Sequence, residues 1–249
     1  MSANISKEAL IFQNRIISFK EDLELIDVIC NANKNGDFLV TKDALFRYVA
    51  PRHTELQKRR PVKNSREIVI KHLRKTVYSS YIKDLYEELT AYLKSIIYQG
   101  ALISKESGAA HRLLGEHKIQ VAAHDILQFS TLKELIMKIA EDIIQKLEAE
   151  RSTAELIKKV CNKLGLKLPG DVIENALPFL EIRHILVHAD GKVNKDFNEK
   201  YPDFKKDSKG RINLNYDLIM EATEKVTRLV NEIDKEALGK NILKPNTPK

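Results

Sequence analysis

The sequence predicts an all-α protein, and three observations lead there. The chain has 9 Gly and 7 Pro in 249 residues while Leu, Ile, Lys and Glu abound, a composition that favours helix. Apolar residues recur at three- and four-residue intervals over long stretches, which is the period of one helix face. Between those stretches stand residues that stop or start helices, such as Asn31 to Gly36, Leu164-Gly165, Leu168-Pro169-Gly170-Asp171 and Asp190-Gly191. The length suffices for a full core, as one large domain or as a domain with an extension.

Each element follows from the local pattern. Residues 5–32 read as a helix through Leu10, Ile11, Ile16, Ile17, Leu23, Ile26 and Ile29. Thr41 to Ala44 opens a short helix that stops at Pro51, and 51–64, with two prolines and many charges, reads as a linker. A long helix is expected from Ser65 to Tyr98, spanning about 50 Å. Its stripe of Val77, Tyr81, Leu85, Leu89, Tyr92 and Ile96 suits a bundle. Residues 99–130 hold short apolar pieces broken by Gly100, Gly108 and Gly115. Ser130 is placed to cap a helix from Thr131 to Glu150, and a short helix ends at Leu164-Gly165. The next begins at Asp171, with Glu174 in capping-box relation, and Pro178 is expected to bend or split it. A polar loop covers 190–212, and Asn213 to Glu236 forms the last helix. The division expected is a helical extension with a basic linker over 1–60, a helical domain over 61–238, and a disordered tail over 239–249.

The net charge is +7 and is not spread evenly. Residues 51–76 hold nine basic residues, among them Arg59, Arg60, Lys63 and Arg66, against only Glu55 and Glu67. This one segment therefore equals the whole excess. A concentrated patch suits a polyanion such as RNA, because each neutralised phosphate releases counterions; a solvated basic loop is the alternative. Cys30 and Cys161 have neither a C-x-x-C partner nor metal-ligand spacing, so reduced thiols and a cytoplasmic setting are expected. No apolar run is long enough for a membrane span, and the N-terminus carries no basic-then-apolar signal.

The stretch with most chemistry is Glu181-Ile182-Arg183-His184-Ile185-Leu186-Val187-His188-Ala189-Asp190-Gly191. On a helix Ile182, Ile185, Leu186 and Ala189 form one apolar stripe, and Glu181, Arg183, His184 and His188 fall on the other side. Arg183 and His188 are then roughly 140° apart around the axis and about 7.5 Å apart along it. Arginine holds a phosphate and keeps its charge, and histidine moves a proton near neutral pH. Leu177, Leu180 and Val187 share the polar side, so the helix is expected to be buried twice, the second time against this chain or a second copy. Spacing alone is weak, since Arg112 and His117 share it. The context of Arg183 and His188 distinguishes them: an apolar helix, a second histidine beside the arginine, and an Asp-Gly stop.

This stretch resembles the signature helix of the HEPN superfamily, whose motif is Arg, four to six residues, then His, and most closely its stand-alone bacterial ribonucleases and defence toxins. His184, the polar residue after the arginine, and the Asp190-Gly191 turn fit that group. The likeness covers roughly residues 66–236 and is motif-grade only over 181–191. It implies a HEPN-like helical bundle and a metal-independent endoribonuclease that uses the RNA 2′-hydroxyl and leaves 2′,3′-cyclic phosphate ends. It also implies a toxin or anti-phage role, a homodimer with a composite active site, and an antitoxin or sensor as a further partner. Arg183 would hold the phosphate, His188 would transfer protons, His184 would assist, and Glu181 is placed to orient an imidazole. No cofactor and no metal are implied. Members paired with a nucleotidyltransferase carry a tyrosine two residues after the motif histidine; Asp190 stands there instead.

Three other readings compete. His184 and His188 at i, i+4 followed by Asp190 are half of a zinc helix, without a clear third ligand. A HEPN-like module could bind RNA or nucleotide without cutting it. The chain could also be a structural helical partner protein.

Overall fold

The computed structural model describes residues 5–35, 65–102, 122–148 and 153–246. Among these the protein is all-α, with eight helices and no strand: α1 (Lys7–Asn35), α2 (Ser65–Leu102), α3 (Ala123–Gln128), α4 (Leu132–Glu148), α5 (Thr153–Leu164), α6 (Gly170–His188), α7 (Lys195–Lys200) and α8 (Tyr216–Gly239). The short helix expected after Thr41 and the basic linker lie outside the described residues. No described helix is long and apolar enough to cross a membrane.

The long helix α2 is the axis of the fold, about 57 Å at 1.5 Å per residue. It buries Tyr78, Tyr81, Ile82, Leu85, Leu89, Tyr92, Leu93, Ile96 and Ile97, and packs against α1, α4, α5, α6 and α8. It runs past Tyr98, through the buried Gly100, to Leu102. Glycine in a helix interior costs roughly 1 kcal/mol relative to alanine. Here the neighbours Ile96, Ile97 and Ala101 are all buried, so packing carries the helix across it.

Local caps set several boundaries. Asn215 accepts from Leu218 N at 2.8 Å to start α8, and Asn194 accepts from Phe197 N at 2.8 Å to start α7. Thr131, not Ser130, caps α4: its hydroxyl accepts from Glu134 N at 3.2 Å, while Ser130 N donates to the Glu134 carboxylate at 2.8 Å. Gly165 ends α5 at φ 69°, where Leu166 N reaches back to Cys161 O at 2.7 Å.

Four expectations need correction. Helix α6 is continuous through Pro178, so the proline does not split it; buried Ala176, Leu177, Phe179 and Leu180 on either side hold it in the core. Pro169, not Asp171, occupies its N-cap position and makes no side-chain cap bond; the Asp171 carboxylate instead pairs with Arg228 of α8 at 2.9 Å. Residues 190–212 are not a plain loop, since they contain α7 and the backbone bridges Lys192–Arg211 and Lys206–Ile212. The chain after Gly239 is packed as far as Asn246: Ile242 and Leu243 are buried, and Asn246 N donates to Ile5 O at 2.8 Å.

The same contacts make α1 part of the bundle rather than an appended extension. Phe12, Ile16 and Leu23 belong to the same buried cluster as α2, α6 and α8. Ser6 caps α1, its hydroxyl accepting from Ala9 N at 3.0 Å. The Ser6 backbone N–H donates to Asp234 Oδ2 at 3.0 Å, its hydroxyl donates to Oδ1, and Tyr92 donates to the same oxygen at 3.2 Å. Burial and the Asp234 carboxylate both push the Tyr92 phenol well above its usual range, so it remains a donor.

Both cysteines are buried and neither is in a disulfide. Burial pushes the Cys161 thiol up to about 12. A thiol so raised holds almost no thiolate near pH 8. Cys161 is therefore expected to resist alkylation in the folded protein and to react readily in denaturant. Mass spectrometry of iodoacetamide-treated protein measures this; native labelling at the denatured rate would contradict the burial.

Candidate active site on the last turns of α6

The C-terminal half of α6 crosses α2 in antiparallel sense, with Arg183 beside Glu87 and Asp190 beside Lys75. The core stripe is as expected at Ile182 and Ile185, which are buried; Leu186 is half-buried and Ala189 exposed. The other face carries Arg183, His184, Val187 and His188. Both histidines are exposed, and their ring centroids are 4.4 Å apart with an interplanar angle of 46°. This contact is what i, i+4 spacing on one face provides.

Arg183 is held from α2. Its guanidinium carbon lies 4.7 Å above the Tyr86 ring, and Nη2 stands 3.4 Å from Glu87 Oε1. That bond is long, and the Glu87 side chain is 65% exposed, so the pair is a weak surface contact of about 0–1 kcal/mol. Arg183 Nε is buried and has no hydrogen-bond partner. The guanidinium is thus positioned by an aromatic face, and its weak pairing with the exposed Glu87 is one that an incoming anion can displace.

Glu181 does not orient an imidazole. Its carboxylate accepts from Lys200 Nζ at 2.7 Å, tying α6 to α7. Nor does Asp190 complete a metal set with the histidines. It accepts from Arg211 Nη2 at 2.6 Å and from Lys75 Nζ at 3.2 Å. Among the described residues no three His, Cys, Asp or Glu side chains are gathered as metal ligands.

The Asp-Gly stop forms as the sequence predicts. Asp190 takes φ 49° and Gly191 φ 80°, both left-handed, and Gly191 N reaches Ile185 O at 3.1 Å. The turn is pinned further by Ile212 N donating to Gly191 O at 2.9 Å. Hydrogen bonding and charge from Lys75, then the charge of Arg211, hold the Asp190 carboxyl below its ordinary 3.8. The folded state thus favours the carboxylate. The three-residue clasp is complete above the ordinary value and is lost as pH falls through the lowered one. A carboxyl-carbon NMR titration should give Asp190 a midpoint below 3.8 in the wild type, rising towards that value in Lys75→Ala.

The doubly buried helix needs revision. Leu177 and Leu180 are buried by this chain, and only Val187 is left open, 43% exposed. Two of the three residues expected at a dimer seam are therefore already covered. Of the expected RNA-binding residues, Arg59, Arg60 and Lys63 lie outside the described residues, and only the backbone place of Arg66 in α2 is described. Sequence reasoning missed Arg211 and Lys209. Arg211 reaches Asp190 at the end of α6, and Lys209 lines the cleft beside it, only because the 190–212 segment folds back, a long-range event without a local signal. No protein-family model, curated protein or solved structure matches the chain.

Proposed function

We propose that this protein is a metal-independent endoribonuclease of HEPN type, with Arg183, His184 and His188 at its centre. The observation that carries the reading is the polar side of α6: two exposed histidine rings 4.4 Å apart, next in sequence to a half-buried arginine seated on Tyr86. Cleavage by the RNA's own 2′-hydroxyl needs a base, an acid and a cation, and no other reactant. One imidazole takes the 2′-OH proton as that oxygen bonds to phosphorus. The bond from phosphorus to the 5′-oxygen breaks, and an imidazolium returns a proton to the leaving oxygen. The products are a 2′,3′-cyclic phosphate and a 5′-hydroxyl. Arg183, which stays charged, neutralises the phosphate as its oxygens crowd. Glu87 is the anion it exchanges for the phosphate.

A role as toxin or anti-phage effector, restrained by an antitoxin or sensor protein, belongs to the same proposal. So does a homodimer in which two α6 helices share one cleft, with Val187 at the seam beside both histidines. Val187→Asp should then lower activity and shift sedimentation from dimer to monomer together. A wild type that is monomeric and fully active would remove the dimer from the proposal.

The test of the activity is incubation of purified protein with RNA in EDTA, followed by mapping of the ends. Cyclic phosphate ends that persist in EDTA are expected; a requirement for a divalent cation would overturn the mechanism. One observation favours a second reading, a module that binds RNA without cutting it: Arg183 is already engaged by Glu87 and Tyr86. Binding without new ends would select it.

A further inference from the structure

Beside the end of α6, and on the side away from the histidines, lies a cleft of about 850 Å³. The first turns of α2 form one wall, the 207–217 segment forms the other, and Leu186, Asp190 and Gly191 close the end. Six cationic residues line it, Lys34, Lys71, Arg74, Lys75, Lys209 and Arg211. Four acidic residues line it as well, Glu67, Asp190, Asp207 and Asp217.

Two of those carboxylates have structural work. Asp190 is shared between Lys75 and Arg211. Asp207 Oδ1 accepts the backbone N–H groups of Lys209 at 2.8 Å and Arg211 at 3.0 Å, which shapes the turn at Gly210. Those backbone bonds hold the Asp207 carboxyl below its ordinary range. Because one carboxylate binds both Lys75 and Arg211, the two cations stand within reach of a single anionic group. Lys71 is one turn before Lys75 on α2, on the same side. Ile70, Leu186, Leu214 and Tyr216 add apolar and aromatic residues to a lining that also holds Ser208 and Asn213.

A cleft that combines clustered cations with apolar and aromatic lining matches a ligand that is itself divided between a phosphate and a planar ring. The volume lies within the range of about 300–1,000 Å³ usual for small-molecule sites. We propose that this cleft is a nucleotide-binding site, with the phosphate between Lys71, Lys75 and Arg211 and the base against Leu214 and Tyr216. The phosphate competes with Asp190 for its two cations, so occupancy loosens the clasp at the end of α6. A free nucleotide and one nucleotide of an RNA chain offer the same chemistry. The site does not depend on the cleavage proposed for the opposite face.

Calorimetric titration of the full chain with adenosine 5′-monophosphate and with a short, uncleavable 2′-O-methyl RNA tests this. Binding of the monophosphate identifies a free-nucleotide site; binding of the oligomer alone identifies a seat for one unit of an RNA chain. Lys71→Ala should weaken either by about tenfold, the loss of one charge-assisted hydrogen bond. Where the monophosphate binds, it should not compete with RNA seated on the face of α6 that carries the histidines, so excess cleavage substrate should leave its affinity unchanged. If neither probe binds, or if Lys71→Ala binds both as well as wild type does, the assignment is overturned.

Discussion

His188→Ala is expected to reduce RNA cleavage by about 100- to 10,000-fold, the usual contribution of a positioned acid–base group. The side chain is exposed and contacts the His184 ring, so its removal opens no cavity in the core. Circular dichroism and the thermal midpoint should stay at wild-type values while the cyclic phosphate ends disappear. Arg183→Ala should fall by roughly 100- to 1,000-fold, as when a preorganised donor to developing charge is removed. It should also lose the contact with Tyr86, about 0.5–1 kcal/mol of stability. Arg183→Lys keeps the charge but not the planar fork and should recover only part of the rate. Arg112→Ala and His117→Ala, which share the spacing without the context, should remain active. A fully active His188→Ala would end the proposed chemistry.

Asp234→Ala is expected to destabilise the fold by about 3 kcal/mol. The carboxylate is 2% exposed and accepts three hydrogen bonds, two from Ser6 and one from Tyr92. Alanine would leave those three donors buried without an acceptor, each at roughly 1 kcal/mol or more. For a chain of this size the thermal midpoint should drop by roughly 6–12 °C. The loss should spread to both ends of the chain, because Ser6 starts α1 and residues 5 and 246 are bonded to each other. Tyr92→Phe removes one donor and leaves the carboxylate its Ser6 bonds, so it should cost only about 1 kcal/mol. Denaturant melts of the two variants separate these cases. An Asp234→Ala protein as stable as Tyr92→Phe would show that solvent, not the fold, satisfies Ser6.

The helices were legible because helix signals are local. The buried row of α2 and the left-handed stop at Asp190-Gly191 depend on residues within a few positions of one another. The face shared by Arg183, His184 and His188 was legible for the same reason, since helical spacing alone places them. What lies opposite a face was not legible. Leu177 and Leu180 fall on the polar side of α6 by angle, yet other helices of this chain cover them. Asp171 and Glu174 have capping-box spacing, but Arg228, 57 residues away, takes the Asp171 carboxylate.

By itself the sequence determined the all-α class, the positions of the long helices, and the arginine–histidine face of α6. Only the tertiary structure decided that the C-terminal segment packs to Asn246, that Tyr86 and Glu87 seat Arg183, and that a cationic cleft opens beside the motif. The physical reason is range. Helix propensity and periodicity act over three or four residues, whereas Ser6 meets Asp234 across 228 residues. Such pairings are selected by packing the whole core, where burial of each face depends on every other.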